Sequence, residues 1–481
     1  MEKEAKTCLK GPIAYYIGLF FFYLGFATAG PVGSLAIYMI SYYCLKDSSI
    51  TMNYAFFLHP IMTLCSTLSK PISGFLEKKI GFRLTILTSA IIIYAAALLN
   101  FFINTFTCSV ICFCLFGIGT GFSALTSKEA CLFFPKRRGL IVSIIRLALG
   151  LMHSLYYKAG EHLINPNRMK VDPFTLTYTK TISLRYKYYL LLIACALVFG
   201  TVIFLVITIR ISFAELLRKN SKVDLREKQN LQESFLEKKE NKGQVQIDSL
   251  KGKKSTQYLS NLKLIFRSWT LWNLFLISIC IAFLPLLITN TSRPLSDRLQ
   301  FSRKFMENIS IGNTVGAAVS CLIWGIIYDC LGSKPLLFFS SIGLCLNGGF
   351  LILSIMLKNA YCFGISLLIN TVLGAGISII FFGHVTKVFR FSYLMEISGF
   401  IGFSLGGISI FGAAFEFVVI EYLKIAGNYP FFICYGTGSV LCFIAFFLIC
   451  CLNEEPFDYS KNTISEEIND LGKVLTEEEM K

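Results

Sequence analysis

Residues 74–83 read GFLEKKIGFR, and residues 325–334 read GIIYDCLGSK. Gly74 pairs with Gly325, Gly81 with Gly332 and Arg83 with Lys334, all at one separation of 251 residues. One offset shared by two turn glycines and a cation marks an internal duplication rather than two unrelated basic loops. Both copies interrupt long apolar runs. In the first, Lys70, Lys78, Lys79 and Arg83 form a basic cluster flanked by glycine.

The surroundings of these copies are built for hydrocarbon. Of 481 residues, 54% are hydrophobic and only 15% are charged, against about 25% in soluble domains. Stretches such as IAYYIGLFFFYLGFATAGPVGSLAIYMISYY (13–43) exceed the roughly 20 apolar residues that cross a bilayer core. Twelve such stretches follow one another, the last at 430–452. Lipid leaves no water for unpaired backbone groups, and the ten-residue alternation of a barrel is missing, so the expected fold is an all-α polytopic membrane protein. Six stretches precede and six follow a polar, net basic segment. The expected organisation is therefore a six-helix bundle at 1–211, a cytoplasmic linker at 212–267, a second bundle at 268–452 and an acidic cytoplasmic tail at 453–481. Basic residues crowd the short loops on one side, Lys136, Arg137 and Arg138 among them, which places that side in the cytoplasm. The sequence does not distinguish a plasma membrane from an organelle membrane.

A formal charge of +16 invites a nucleic-acid reading, but the cations are dispersed over membrane-flanking loops and form no basic domain. Seventeen cysteines and four histidines show no paired ligand spacing, so neither a metal nor another cofactor is expected. No nucleophile or paired-acid motif suggests an enzyme.

At the duplicated turn the chain resembles the major facilitator superfamily, whose signature has the form Gly-x-x-x-Asp-Arg-x-Gly-x-Arg. The second copy keeps Gly325, Asp329, Gly332 and Lys334. The first keeps Gly74, Lys79, Gly81 and Arg83 but has Lys78 where the family has Asp. FFPKRRGL (133–140) further resembles the oxalate:formate antiporter and monocarboxylate transporter branch. The resemblance implies two six-helix repeats, alternating access to a central cavity, and motif residues whose contacts close the cytoplasmic face. It implies a small-molecule substrate, with a co-transported proton or a counter-transported anion, in contact with membrane lipid. The Lys78 departure leaves one half of the gating contact unaccounted for. The eighth stretch, 306–329, lacks the arginine by which that branch usually holds an anion. A small carboxylate therefore stands beside neutral or zwitterionic solutes such as amino acids, and beside a transport-inactive receptor or scaffold.

Ionisable groups inside apolar helices are costly, so each is a candidate. Arg146 offers a planar fork suited to a carboxylate, with snorkelling or pairing to Glu129 as the alternative. Lys128 and Glu129 are pocket residues or an interfacial pair. Glu416 is a proton or cation site or a boundary residue, and His59 and His384 are proton carriers or packing residues.

Overall fold

The computed structural model describes residues 17–23, 38–47, 50, 55–102, 105–133, 137–167, 180–209, 258–389, 391–419 and 429–457. Helices account for nearly all of these, and no strand occurs among the described residues. The long ones are α1 (Ala55–Ile80), α2 (Phe82–Phe102), α3 (Phe106–Phe133), α4 (Arg138–Ile164), α5 (Lys180–Ile209) and α6 (Trp269–Arg298). They continue as α7 (Arg303–Leu331), α8 (Ser333–Met356), α9 (Ala360–Val388), α10 (Leu394–Phe417) and α11 (Tyr429–Cys450). Helical residues at 17–23 and 38–44 fall in the first apolar stretch of the sequence. Leu19–Ile203 and Trp272–Pro456 make up one compact unit. A second unit comprises Met1–Gly18, Phe204–Leu271 and Phe457–Lys481, and its described part includes a helix at 258–267.

Among the described residues, ten helices are long and apolar enough to cross a membrane. The α1 helix has the length, at 26 residues, but His59, Lys70, two prolines and a series of Ser and Thr dilute its apolar character. Its position explains how it tolerates them. It lies between α3 and α10, and apart from His59 and its last three residues it exposes only Leu68, Ile72 and Phe75 among the described side chains.

The duplication read from the sequence is visible in the packing. Within the first repeat α3 packs on α1 and α2, and within the second α9 packs on α7 and α8. Across the repeats α1 docks on α10, while its counterpart α7 docks on α4. The turns match in detail. Gly81 N–H bonds to Glu77 O at 2.9 Å with φ 84°, and Gly332 N–H bonds to Tyr328 O at 2.9 Å with φ 80°. Positive φ at both sites is the reason glycine recurs there.

Helices surrounded by apolar material gain little from the hydrophobic effect when they associate, so close backbone approach and polar contacts hold them together. At the α1–α3 crossing Ser69 Oγ donates to Ser66 O and to Ile118 O, at 3.0 and 3.1 Å. A Cβ at Gly121 would stand 2.1 Å from Ser66 O. Gly121→Ala is therefore expected to destabilise the fold by about 1–3 kcal/mol through overpacking. Gly407→Ala, where a Cβ meets nothing within 4 Å, should leave stability unchanged, and thermal unfolding of the two purified variants checks the contrast.

Candidate functional site

The pattern along α4 sorts its faces. Ile144, Leu151 and Leu155 are exposed and lie on one side, which reads as the lipid face. Gly139, Ser143, Arg146 and Gly150 recur at i, i+4, i+7 and i+11 on the opposite side. Gly139 and Ser143 pack against Gly325, and Gly150 packs against Ala318, so this stripe faces α7. Arg146 is nonetheless exposed. A side chain exposed on the face turned toward a neighbouring helix opens into the interior of the bundle, not into hydrocarbon. Its charge acts on Tyr23, on Lys70 of α1 and on Cys321 of α7.

Lys70 belongs to this locus, although the sequence groups it with the cytoplasmic cluster. It precedes the end of α1 by ten residues, which places it about 15 Å inside, and Arg146 lies about 12 Å past the start of α4. The two cations thus stand at similar depth. Lys70 is half-buried beside Gly402 of α10. Among the described residues neither Lys70 nor Arg146 forms an ion pair. Tyr23, buried, is hydrogen-bonded to Thr126 of α3 at the edge of the same locus. Nearer the far end, His59 of α1 and His153 of α4 are close enough for their charges to interact. Lys70, Tyr23 and His153 were not candidates from the sequence. One signal was available for Lys70: His59, Thr63, Ser66 and Lys70 make a polar stripe at i, i+4, i+7 and i+11 in an otherwise apolar helix.

Of the remaining candidates, Lys128 and Glu129 lie near the end of α3. Lys128 pairs with Glu77 of α1 at 2.7 Å, both largely buried, and Glu129 lies within reach of the same Glu77 carboxyl. Arg146 therefore does not take Glu129 as its partner. Asp329 accepts from Gly139 N–H at 3.0 Å and from Leu140 N–H at 2.9 Å, so one carboxylate caps the first turn of α4. Arg138 donates to Thr386 O at 3.0 Å, near the C-terminal end of α9, and stacks over Phe391. Arg137 and Lys79 are exposed. The side chain of Glu416 and the whole of Lys136 lie outside the described residues.

Lys78 occupies the position equivalent to Asp329, and it too makes a contact across the repeats. Its Nζ lies 2.9 Å from Glu396 Oε1, and Glu396 sits in the first turn of α10 with 3% of its side chain exposed. A lysine cannot cap a helix N-terminus, since both are positive. The carboxylate stands on α10 itself instead, where it suits the helix dipole and holds Lys78 across the repeats. Gly74, packed against Met395 and Glu396, allows that approach.

The second copy has a further clamp. Just past α11, Glu454 accepts from Ser333 Oγ, Lys334 N–H and Lys387 Nζ, at 2.7, 2.7 and 2.8 Å. Lys334 Nζ in turn donates to Cys450 O and Leu452 O. Burial opposes ionisation of Glu454, but the bonds from Lys387, Ser333 and Lys334 outweigh it and hold the carboxyl at about 2.

Residues 15–414 match the profile of the Major Facilitator Superfamily. The fold is similar to that of the proton:xylose symporter XylE bound to 6-bromo-6-deoxy-D-glucose, at 13% identity and a TM-score of 0.65, covering 92% of this chain and 96% of that one. It is similar also to FucP, a transporter of the same superfamily in the outward conformation, at 12% identity and a TM-score of 0.59 over 92% and 99%. A double-tryptophan variant of XylE gives 12% and 0.62 over 92% and 96%. At these identities the likeness is one of fold. No curated protein matches the chain in sequence.

Two outcomes follow from the cytoplasmic contacts. Lys78→Glu sets two carboxylates against each other and should lower maximal flux, and adding Glu396→Lys should restore part of it, as transport assays on the single and double variants would show. The Glu454 clamp has a depressed carboxyl, so its contribution to stability is complete above the ordinary value of 4.5 and is lost as pH falls toward about 2. Wild type should then unfold at a higher temperature than Glu454→Gln at pH 6, with the gap narrowing below pH 4.5 and closing only near pH 2.

Proposed function

The chain belongs to the Major Facilitator Superfamily, and from that premise we propose that it moves a small organic anion, in the first instance a small carboxylate, across a membrane by alternating access. The observation that carries this reading is the pair Lys70 and Arg146. Two cations at similar depth, on helices of one repeat, have no ionic partner among the described residues, and an anionic solute supplies what they lack. Arg146 would bind a carboxylate through two parallel N–H bonds, and Lys70 would add a point charge. The loss of an arginine from the eighth apolar stretch is then compensated on α1 and α4. The resemblance of FFPKRRGL to the oxalate:formate and monocarboxylate branch supports the same substrate class.

In this reading Asp329, Lys78 and Glu396 hold the cytoplasmic ends closed. Arg83, Lys334 and the glycines at 74, 81, 325 and 332 shape the turns that must rearrange when those ends open. The same reading expects both termini and 212–267 on the cytoplasmic side; residues 1–16, 210–257 and 458–481 lie outside the described residues. The relatives in fold point to a competing substrate class, since XylE is a xylose symporter.

Uptake into proteoliposomes, with small carboxylates, amino acids and xylose offered in turn, separates the two. Carboxylate uptake is expected. Arg146→Lys should weaken apparent affinity about ten- to a hundredfold, equivalent to about 1.4–2.8 kcal/mol, and Arg146→Gln and Lys70→Gln should nearly abolish uptake. Xylose uptake that survives Arg146→Gln would overturn the anion reading, and binding without flux for any solute would leave a receptor.

A further inference from the structure

Away from the two cations, one fully buried titratable side chain is joined by hydrogen bonds to the surface. His384 lies near the end of α9 with no exposed area. Its Nδ1 is 2.7 Å from Ser333 Oγ, and that oxygen is 2.7 Å from Glu454 Oε1. The bonding fixes where the protons are. Glu454 is ionised and only accepts, so the Ser333 hydroxyl donates to it. With its one proton committed, Ser333 Oγ must accept from the ring, and His384 therefore carries its proton on Nδ1. The lone pair is left on Nε2, which is buried and has no hydrogen-bond partner among the described residues. A bare acceptor held away from water needs a purpose, because burying one is costly.

We propose that His384, Ser333 and Glu454 form a proton relay, with His384 as a proton-binding site inside the second repeat and Glu454 as its cytoplasmic mouth. When the conformational change that parts these helix ends admits water to Nε2, a proton delivered there forms an N–H bond. Nδ1 then releases its proton to Ser333 Oγ, and the serine passes its own to Glu454, which gives it up to water. One proton enters, one leaves, and the ring ends neutral in its other tautomer; the reverse sequence runs through the same atoms. The charges around the ring favour passage over storage. Lys387 on α9 opposes a lasting imidazolium, and Glu454 past α11, which Lys387 itself engages, stands against it. The relay runs through the turn of the second sequence copy, so its serine moves with the same segment that carries Gly332 and Lys334.

The first test does not depend on transport. Imidazole nitrogens of the ¹⁵N-histidine-labelled full-length protein in lipid nanodiscs, read by solid-state NMR, give the tautomer of His384, with its signal assigned by its loss in His384→Gln. The expected form is Nδ1–H, shifting toward Nε2–H in Ser333→Ala and staying Nδ1–H in Ser333→Thr. An Nε2–H ring in the wild type overturns the relay. The second test rests on the transporter reading and uses proteoliposomes. The ratio of uptake driven by a pH gradient to solute exchange at equal pH should fall about tenfold or more in Ser333→Ala and Glu454→Gln and recover in Ser333→Thr. An unchanged ratio overturns the relay. Should the wild type move none of the solutes offered, the transport reading falls, and the tautomer still decides the relay.

Discussion

A backbone amide in hydrocarbon has no water to bond to, and the rest of this structure depends on that constraint. It forces every long apolar stretch into helix, and it removes the ordinary reason for helices to associate, since lipid is as apolar as leucine. What remains is close approach of backbones and a small set of polar contacts. Both are concentrated where α1 meets α3 and α10, and where α7 meets α4 and α9. Gly139 and Gly325 bring two backbones together at the second crossing, and Ser66, Ser69 and Gly121 do so at the first. The same economy explains why a handful of charged residues at the cytoplasmic ends is enough to hold the repeats together there.

Those contacts are related by the duplication but are not copies. On one side a carboxylate of α7, Asp329, reaches the amides of α4. On the other, the carboxylate has moved to the receiving helix and the reaching residue is Lys78. Both arrangements place a negative charge at a helix N-terminus, which is the feature the dipole requires. They differ in how they break. Separating Asp329 from α4 exposes amides to water, whereas separating Lys78 from Glu396 leaves a nearly buried carboxylate that needs solvent or another cation. Lys78 is 38% exposed, so screening keeps the pair modest in strength.

The helices, the duplication and the turn glycines were legible because each leaves a local mark: length, offset, and a position that only glycine fills without strain. The partner of Lys78 was not legible. Glu396 lies 318 residues away, and nothing in FRFSYLMEISG (389–399) shows that it meets the first turn copy. Glu454 reads as one more acid in an acidic tail, and only the fold brings it to Ser333. Lys70 is a different case. Its neighbours in sequence are a basic cluster, and composition alone assigns it there, yet helical period places it with His59, Thr63 and Ser66. Arg146 stands out in the sequence as a charge in an apolar helix, but its direction stays open there, since lipid face and interior face are separated only by which stripe packs on α7.

The interior cations are best understood through what they do without. Pairing Lys70 and Arg146 with carboxylates, as Lys128 is paired with Glu77, would relieve their desolvation and their mutual repulsion. It would also remove the unpaired charge on which the proposed anion site rests. Leaving them unpaired costs folding stability and keeps the locus dependent on water or solute in every conformation. In the proposed reading, an anion that enters from one side neutralises both cations at once, and an empty site must be rehydrated before the next conformational change. The ion pairs at the helix ends differ in the same respect, Lys78 and Lys387 being partly open to solvent and Lys128 with Glu77 largely buried, so screening weakens the first two more than the third.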